Sequence, residues 1–561
     1  LGFVHQPNQP AGGLICTPVS LTMSDSHSLF RSARIISICT FLSRILGLAR
    51  DMICASIFGT GMVWDAFAVA FKIPNLFRRL FGEGAFSAAF IPILTEHIEK
   101  RGRAEALVFI NIIATALIII LGSIVLVGEG AFFTIPKMFQ MQEKWQLVFK
   151  LLIIMFPYVF FICIVAFMAA VLNTIHHFLM PALAPVAMNV CWILGAVLAP
   201  YTGKTLEKMI YAVAISTFLS GLVQVVIHLP TLRKQEMVYR FIPQFSHPDL
   251  KAVLSRMAPV VFGLGIVQLN VLIDSIIAVG FSTPQGGLNH FTVLGTKVYF
   301  PMKAGAASVL YYSDRLIQFP LGVFGIAMAT VVFPLFSTHA VRADWDTFYA
   351  TFNKALKFIL FIGIPASLGM IMLREPIIDL LFRRNQFNAE SAYRTSRVIL
   401  CYAVGIWAYC GLHVLIRAFY SMKDTVTPVK VGAVCVGIHV VLNLSLIWVL
   451  QEGGLALSTA ISAMVQIIIL TCILQKRLHI KIEKTVVISL LKTVIASTVM
   501  AITCWFVLSM FSPINGEGGI SLKAARLFVP MISALAAFAA TSCALKSEEF
   551  RYLASKSLKK T

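Results

Sequence analysis

Residues 43–51 read SRILGLARD, and residues 65–86 read DAFAVAFKIPNLFRRLFGEGAF. Together they place Arg44, Arg50, Arg78 and Arg79 within or at the edge of long apolar runs. An arginine at a bilayer centre costs about 2.5–3.5 kcal/mol on insertion scales. A chain carrying several of them needs an anionic partner or a water-filled cavity to compensate the charge. The surroundings leave no doubt that lipid is the solvent. The chain is 58% hydrophobic and 13% charged, with a mean hydropathy of +0.85, far from the balance of a soluble globular domain. Runs of about 20 apolar residues recur, about fourteen in all, from 35–58 and 62–90 through 257–281 to 485–511 and 526–545. The runs do not alternate as barrel strands would, and helices satisfy their own backbone in lipid. The fold class expected is an all-α polytopic membrane protein.

The net charge of +21 follows topology, not nucleic-acid binding. With the amino terminus inside, the inward connections hold Lys100, Arg101 and Arg103, then Arg233, Lys234, Arg240, Lys251 and Arg256, and later Lys476, Arg477, Lys481 and Lys484. The outward connection after Leu450 offers only Glu452. This positive-inside bias puts both termini in the cytoplasm. One outward loop, 374–397, runs against it with Arg374, Arg383, Arg384, Arg394 and Arg397. Ten of the eleven cysteines fall in apolar runs and none form a CxxC pair, so neither a disulfide framework nor a zinc site is expected. Residues 1–27 read as a disordered or non-native extension, with Met23 as a candidate start.

Three groups of residues carry chemistry. The first is the arginine pair of 43–51 with Asp51, then Asp65, Lys72, Pro74, Arg78, Arg79 and Glu83. Guanidinium forks match phosphate oxygens two at a time, so arginines converging from two helices would clamp a diphosphate. Arg79 can equally be an interfacial anchor that snorkels. Asp51, Asp65 and Glu83 are natural counter-ions. Asp65, Lys72 and Arg79 are seven apart and would share one face of a continuous helix, whereas Pro74 and the glycines would permit a break. The second group is YYSDRLIQFP, 311–320, in which Arg315 brings a cation from the other half and Asp314 is its partner or a helix-start acid. The third is Asp274 in mid-span, with Asn443 and Thr459 elsewhere, a candidate site for Na⁺ or a proton. The D-x-D of Asp344 and Asp346 sits in a short loop and reads as solvated. No nucleotide-binding loop or HExxH occurs, so a transporter is expected, not an enzyme, with no cofactor beyond the membrane potential or a coupling ion.

Two stretches, 72–97 and 315–339, share a layout of charged opening, early proline, small residues and second proline. So do 176–194 and 423–442, where a polar break precedes Pro181 and Pro428. Paired halves of this kind are a transporter signature.

The blocks SRILGLARD, DAFAVAFKIPNLFRRLFGEGAFSAAFIPIL and YYSDRLIQFPLGVFGIAMATVVFPLFS closely resemble the MurJ (MviN) family of lipid II flippases, in the multidrug/oligosaccharidyl-lipid/polysaccharide exporter superfamily. The resemblance runs, more loosely, from about residue 28 to the carboxyl terminus. It implies two lobes, 28–230 and 231–480, around a central cationic cavity, with helices over 481–545 forming a groove for the lipid tail and 546–561 a cytoplasmic tail. The family's cavity arginines fall on Arg44, Arg50, Arg78 and Arg315, and its cavity aspartate on Asp65. The implied partners are lipid II, membrane lipids and other cell-wall synthesis proteins, at the bacterial inner membrane. A flippase for another polyprenyl-diphosphate-linked glycan is the alternative. Some members have a sodium site, which by pattern falls near Asp274, His439, Asn443 and Thr459, with His439 departing from the usual amide. Gln318 stands where an acid is frequent, and the loop 282–307 is longer than usual.

Overall fold

The computed structural model describes residues 23–81, 86–284, 289–293, 295–478, 483–511 and 519–558. Among these there are eighteen α-helices and one two-stranded hairpin. Helices α1 (Met23–Phe58), α2 (Met62–Leu80), α3 (Phe86–Met138), α4 (Glu143–Met155), α5 (Tyr158–Thr174), α6 (Leu179–Thr202) and α7 (Leu206–Lys234) form the first bundle. The second holds α8 (Pro248–Gly280), α9 (Ala306–Pro320), α10 (Ala327–Val341), α11 (Trp345–Leu381), α12 (Ala389–Ala403), α13 (Ile406–Ser421), α14 (Val426–Leu450) and α15 (Glu452–Leu478). Helices α16 (Lys484–Ser509) and α17 (Ile520–Ala544) pack on each other and on α11, and α18 (Glu548–Leu558) follows.

By length and composition, nine of the described helical segments can cross a membrane. The two bent pairs α4–α5 and α12–α13 bring this to eleven. The remaining expected spans fall on α1, α2 and α8. Two of these, α1 and α2, carry the charges that opened the sequence reading. Their polarity is the mark of helices that face a cavity, because lipid would not tolerate it.

The two stretches expected to pair, 176–194 and 423–442, share their helix endings. His176 and Lys423 both adopt a left-handed φ of 61°. Each lies three residues before its next helix, α6 or α14, and each of these helices carries proline at its third residue, Pro181 or Pro428. The hydrogen bonds repeat too. The His177 N–H reaches the Leu172 carbonyl at 2.8 Å, and the Asp424 N–H reaches Phe419 at 3.1 Å. The same helix-ending motif also occurs at Glu236, Ala343 and Lys546, where the next N–H reaches the Leu232, His339 and Ser542 carbonyls, so the motif alone does not pair the two halves.

Several details depart from the sequence reading. Helix α2 runs through Pro74 without a break, so Asp65, Lys72 and Arg79 do share a helix. The loop 282–307 contains an antiparallel hairpin, β1 (His290–Val293) with β2 (Thr296–Tyr299), because alternating β-branched and aromatic residues suit a ladder. The tail holds α18. Between α9 and α10 the helix widens into a π-helical turn, Leu321–Ile326. Asp344 caps α11, accepting the Thr347 N–H at 3.1 Å, which explains the D-x-D. The arginines of 374–397 that run against the topological bias are largely paired: Arg383 with Asp379 at 3.2 Å and Arg394 with Glu452 at 2.6 Å.

Small residues let helices approach closely in lipid. Gly195 on α6 is one: a Cβ there would lie 2.2 Å from Ser216 Oγ on α7. Gly195→Ala must push the two helices apart, at about 1–3 kcal/mol for overpacking. The expected result is a lower melting temperature of the purified protein, and an unchanged one would refute this close approach.

Candidate functional site

The charge-bearing helices meet where α1 and α2 of the first bundle face α8 and α9 of the second. Asp51 is the hub. Its Oδ1 accepts Arg50 Nε at 3.0 Å and Nη2 at 2.8 Å, and its Oδ2 lies 3.6 Å from Arg315 Nε. Arg50 and Asp51 are 5% and 4% exposed, so in this low-dielectric setting neither could stand unpaired. Tyr311 joins them: its hydroxyl donates to Asp51 Oδ1 at 3.1 Å and lies 3.5 Å from Nη2 of both Arg50 and Arg315. Arg50 is held from behind as well. Nη1 donates to Asn189 Oδ1 at 3.1 Å, and the guanidinium stands 4.3 Å over the Trp192 ring. Asn189 is itself fixed by donating to the Ser43 carbonyl at 2.9 Å.

Beside this cluster lies a small cavity lined by residues of α2, α8 and α9, among them Lys72, Asn75, Arg79, Gln268, Asp314 and Arg315. Its volume is about 40 Å³, close to the roughly 30 Å³ that one water occupies in the liquid. Lys72 donates to Ser275 Oγ and Arg79 to Gln268 Oε1, the latter at 3.1 Å, so α2 is tied to α8. Arg78 donates to Asn75 Oδ1 at 2.9 Å. Asp314 accepts from Gln318 at 2.5 Å. Arg44 differs from the other arginines. It is exposed, makes no hydrogen bond or ion pair among the described residues, and its guanidinium lies 3.5 Å from where a Cβ on Gly322 would be. It therefore faces the π-helical turn.

The structure places two expected residues, Asp65 and Thr459, away from this cluster. Asp65 caps α9 instead: its carboxylate accepts the Gly305 N–H at 2.7 Å and the Ser308 N–H and hydroxyl at 2.6 Å each. Thr459 donates to the Leu455 carbonyl and does not join Asp274. Glu83 lies outside the described residues. Asp274 and Asn443 do meet, with His439 beside them. Asp274 Oδ1 accepts His439 Nε2 and Asn443 Nδ2, both at 2.7 Å. Asn443 Oδ1 is buried beside them without a hydrogen-bond partner among the described residues, so an oxygen suited to a hard cation stays next to Asp274.

Sequence reasoning underrated Tyr311, Asn189, Trp192 and Gln268. Asn189 left a signal, a lone amide in the apolar run VAMNVCW. Tyr311 lay in a quoted motif, but nothing in a linear pattern reveals a hydroxyl shared by two arginines and an aspartate.

The sequence model of the family described as "Lipid II flippase MurJ" matches residues 54–518. The chain belongs to the MurJ family. It is 36% identical over 457 residues to a probable lipid II flippase MurJ of Vibrio cholerae, covering 79% of this chain and 82% of that protein. A lipid II flippase MurJ of Burkholderia cenocepacia is 32% identical over 462 residues, covering 80% and 84%. A solved MurJ structure in an inward closed conformation superposes with a TM-score of 0.71 at 24% identity, over 91% of this chain and 99% of that one. An inward-facing multidrug transporter of the MATE family follows the same fold with a TM-score of 0.61 at 16% identity, over 78% and 94%.

Two arginines a few residues apart should respond differently to truncation. Arg50→Ala leaves Asp51 with a weakened partner set in a buried site, a loss on the order of 3–5 kcal/mol. Arg44→Ala removes a side chain without a partner and should shift stability by under about 0.5 kcal/mol, yet abolish growth support when it replaces the wild-type gene. Thermal unfolding and complementation of a depletion strain read the two effects separately. A large loss of stability in Arg44→Ala would contradict the geometry.

Proposed function

We propose that this protein carries lipid II from the cytoplasmic to the outer leaflet of the bacterial inner membrane by alternating access, for cell-wall synthesis. The carrying observation is the buried Asp51 carboxylate held between Arg50 of one bundle and Arg315 of the other. A carboxylate in that position is a stand-in for a phosphate oxygen. The substrate's diphosphate would displace it and engage Arg44, Arg50, Arg78 and Arg315, with Arg79 and Asp314 at the edge. Membership of the family favours lipid II over another polyprenyl-diphosphate-linked glycan. No step requires a bond to be made or broken.

A cavity of about 40 Å³ cannot take a sugar–peptide head group, so the bundles must separate. We take them as lobes bounded near 28–230 and 231–480. Their outward ends are joined by contacts that can break together. Asp65 of α2 satisfies the start of α9, and Lys144 of α4 donates to the Ser282 carbonyl at 2.7 Å, just past the end of α8. Each puts a charge of favourable sign at a helix terminus. Thr60 and Ser391 hydroxyls meet at 2.7 Å, and Asn385 donates to Ser56 Oγ at 2.8 Å. These links form the outward gate. The polyprenyl tail would lie along α16 and α17, which expose Ile502, Trp505, Phe506 and Ile532. The basic inward loops support cytoplasmic termini.

For coupling, the membrane potential acts on the charged site at about 2.3 kcal/mol per charge per 100 mV. Asp274 with Asn443 is a second candidate for coupling, to Na⁺ or a proton, and the potential alone is the simpler reading. Replacing Na⁺ by K⁺ should leave flipping unchanged, whereas collapsing the potential should stop it. A strict sodium requirement would overturn this part of the reading.

The central claim is tested by depleting the protein and labelling lipid II by leaflet. Lipid II should accumulate on the inner face, and its continued appearance outside with no other flippase present would refute the function. The gate is tested by the pair Thr60→Cys and Ser391→Cys in a background without other cysteines. Oxidation should arrest flipping and reductant should restore it.

A further inference from the structure

A second pocket lies where the start of α12 meets the α14–α15 turn, beside the Thr60–Ser391 contact. Its volume is about 220 Å³, and Lys303, Glu390, Tyr393, Arg394, Arg397 and Glu452 line it. Most of these charges are spent on one another. Arg394 donates to Glu452 Oε1 at 2.6 Å and to the Ala304 carbonyl at 2.8 Å. Lys303 pairs with Glu390 at 2.7 Å. Two groups remain. Glu452 Oε2 is buried without a hydrogen-bond partner, on a side chain only 5% exposed. Among the described residues Arg397 makes only a cation–π contact, 6.0 Å from the Tyr393 ring.

An orphan carboxylate oxygen in a buried site costs its desolvation until an N–H or O–H reaches it. An unspent guanidinium beside it selects an anionic oxygen. A simple anion would satisfy Arg397 and repel Glu452, and a simple cation would do the reverse. The complementary ligand carries an ammonium a few bonds from an anionic group. The setting says where such a ligand comes from. Helix α14 reaches the pocket at Leu450, and the residues leading up to it, Trp448 and Val449, are 47% and 78% exposed. Bare tryptophan and valine there mark a lipid-facing surface near the headgroup level.

We propose that this pocket binds the headgroup of an outer-leaflet phospholipid that bears a primary ammonium beside its phosphate, a phosphoethanolamine. The ammonium donates to Glu452 Oε2, and the phosphate meets Arg397. The placement in the outer leaflet rests on the topology proposed above. A trimethylammonium headgroup has no N–H to offer, so the pocket discriminates against it.

The test is native mass spectrometry of the full-length protein, titrated in detergent with phosphatidylethanolamine, phosphatidylcholine or phosphatidylglycerol of matched chains. Phosphatidylethanolamine should be retained about tenfold more tightly than phosphatidylcholine, the ratio expected for one charge-assisted hydrogen bond. Glu452→Gln should erase that preference, and Arg397→Gln should weaken retention of both lipids. Equal retention of the two lipids by the wild type would overturn the proposal. So would a preference for phosphatidylglycerol, or selectivity unchanged in both variants. Glycerophosphoethanolamine binding as tightly as the lipid would overturn the lipid source. The readout is lipid retention, so a failure here leaves the transport reading standing, and a failure of transport leaves this pocket standing.

Discussion

One carboxylate makes the rest of this architecture tolerable. Asp51 sits between two guanidinium groups, one on its own helix and one from the opposite bundle. Burying either arginine alone would cost several kcal/mol after relaxation, and the closed arrangement would not form. Because the two cations come from different bundles, the same contact also holds the bundles together. Tyr311 and Asn189 complete the shell around Arg50 and Asp51 Oδ1. Any anion that enters must compete with a preformed set of bonds. It must also bring more than one oxygen, since Asp51 already offers two.

The closure away from this cluster uses a different device. Asp65 and Lys144 lie on the first bundle, yet they satisfy helix ends of the second, one acid at a start and one amine beyond an end. Such contacts are directional and lose most of their energy once a helix end moves by an ångström or two. Between them lies an apolar seam, with Trp64 stacked 5.9 Å from Tyr312 and 4.9 Å from Phe67. Directional bonds at the rim and stacked rings within give a closure that opens as a unit, not by gradual loosening.

Much of this was legible in the chain before any coordinate was known. The helical class and the presence of buried arginines follow from apolar run length and from charges that lipid excludes. What escaped was whatever depended on two segments meeting. Asp65 reads as a cavity acid until α9 is seen to begin beside it. That His439 and Asn443 both reach Asp274 could not be read from residues 165 and 169 positions apart. The hairpin within 282–307 was hidden because a four-residue strand between membrane helices leaves almost no pattern.

The arginines divide by partner, and that division bears on how a diphosphate would enter. Arg50 and Arg315 are compensated in the closed state, so a substrate that takes Asp51's place exchanges one anion for another. The exchange keeps both guanidinium groups paired, whose desolvation has already been met in folding, and leaves the displaced Asp51 carboxylate to find water or another donor. Net attraction at first contact must therefore come from elsewhere. Arg44, exposed beside Gly322 and without a partner among the described residues, is placed to supply it. It faces a π-helical turn, the kind of local widening that can shift by a residue without unravelling its helix. On the proposed reading, first capture at Arg44 followed by displacement of Asp51 would order the binding event so that the contact joining the bundles is released only when an anion is already present.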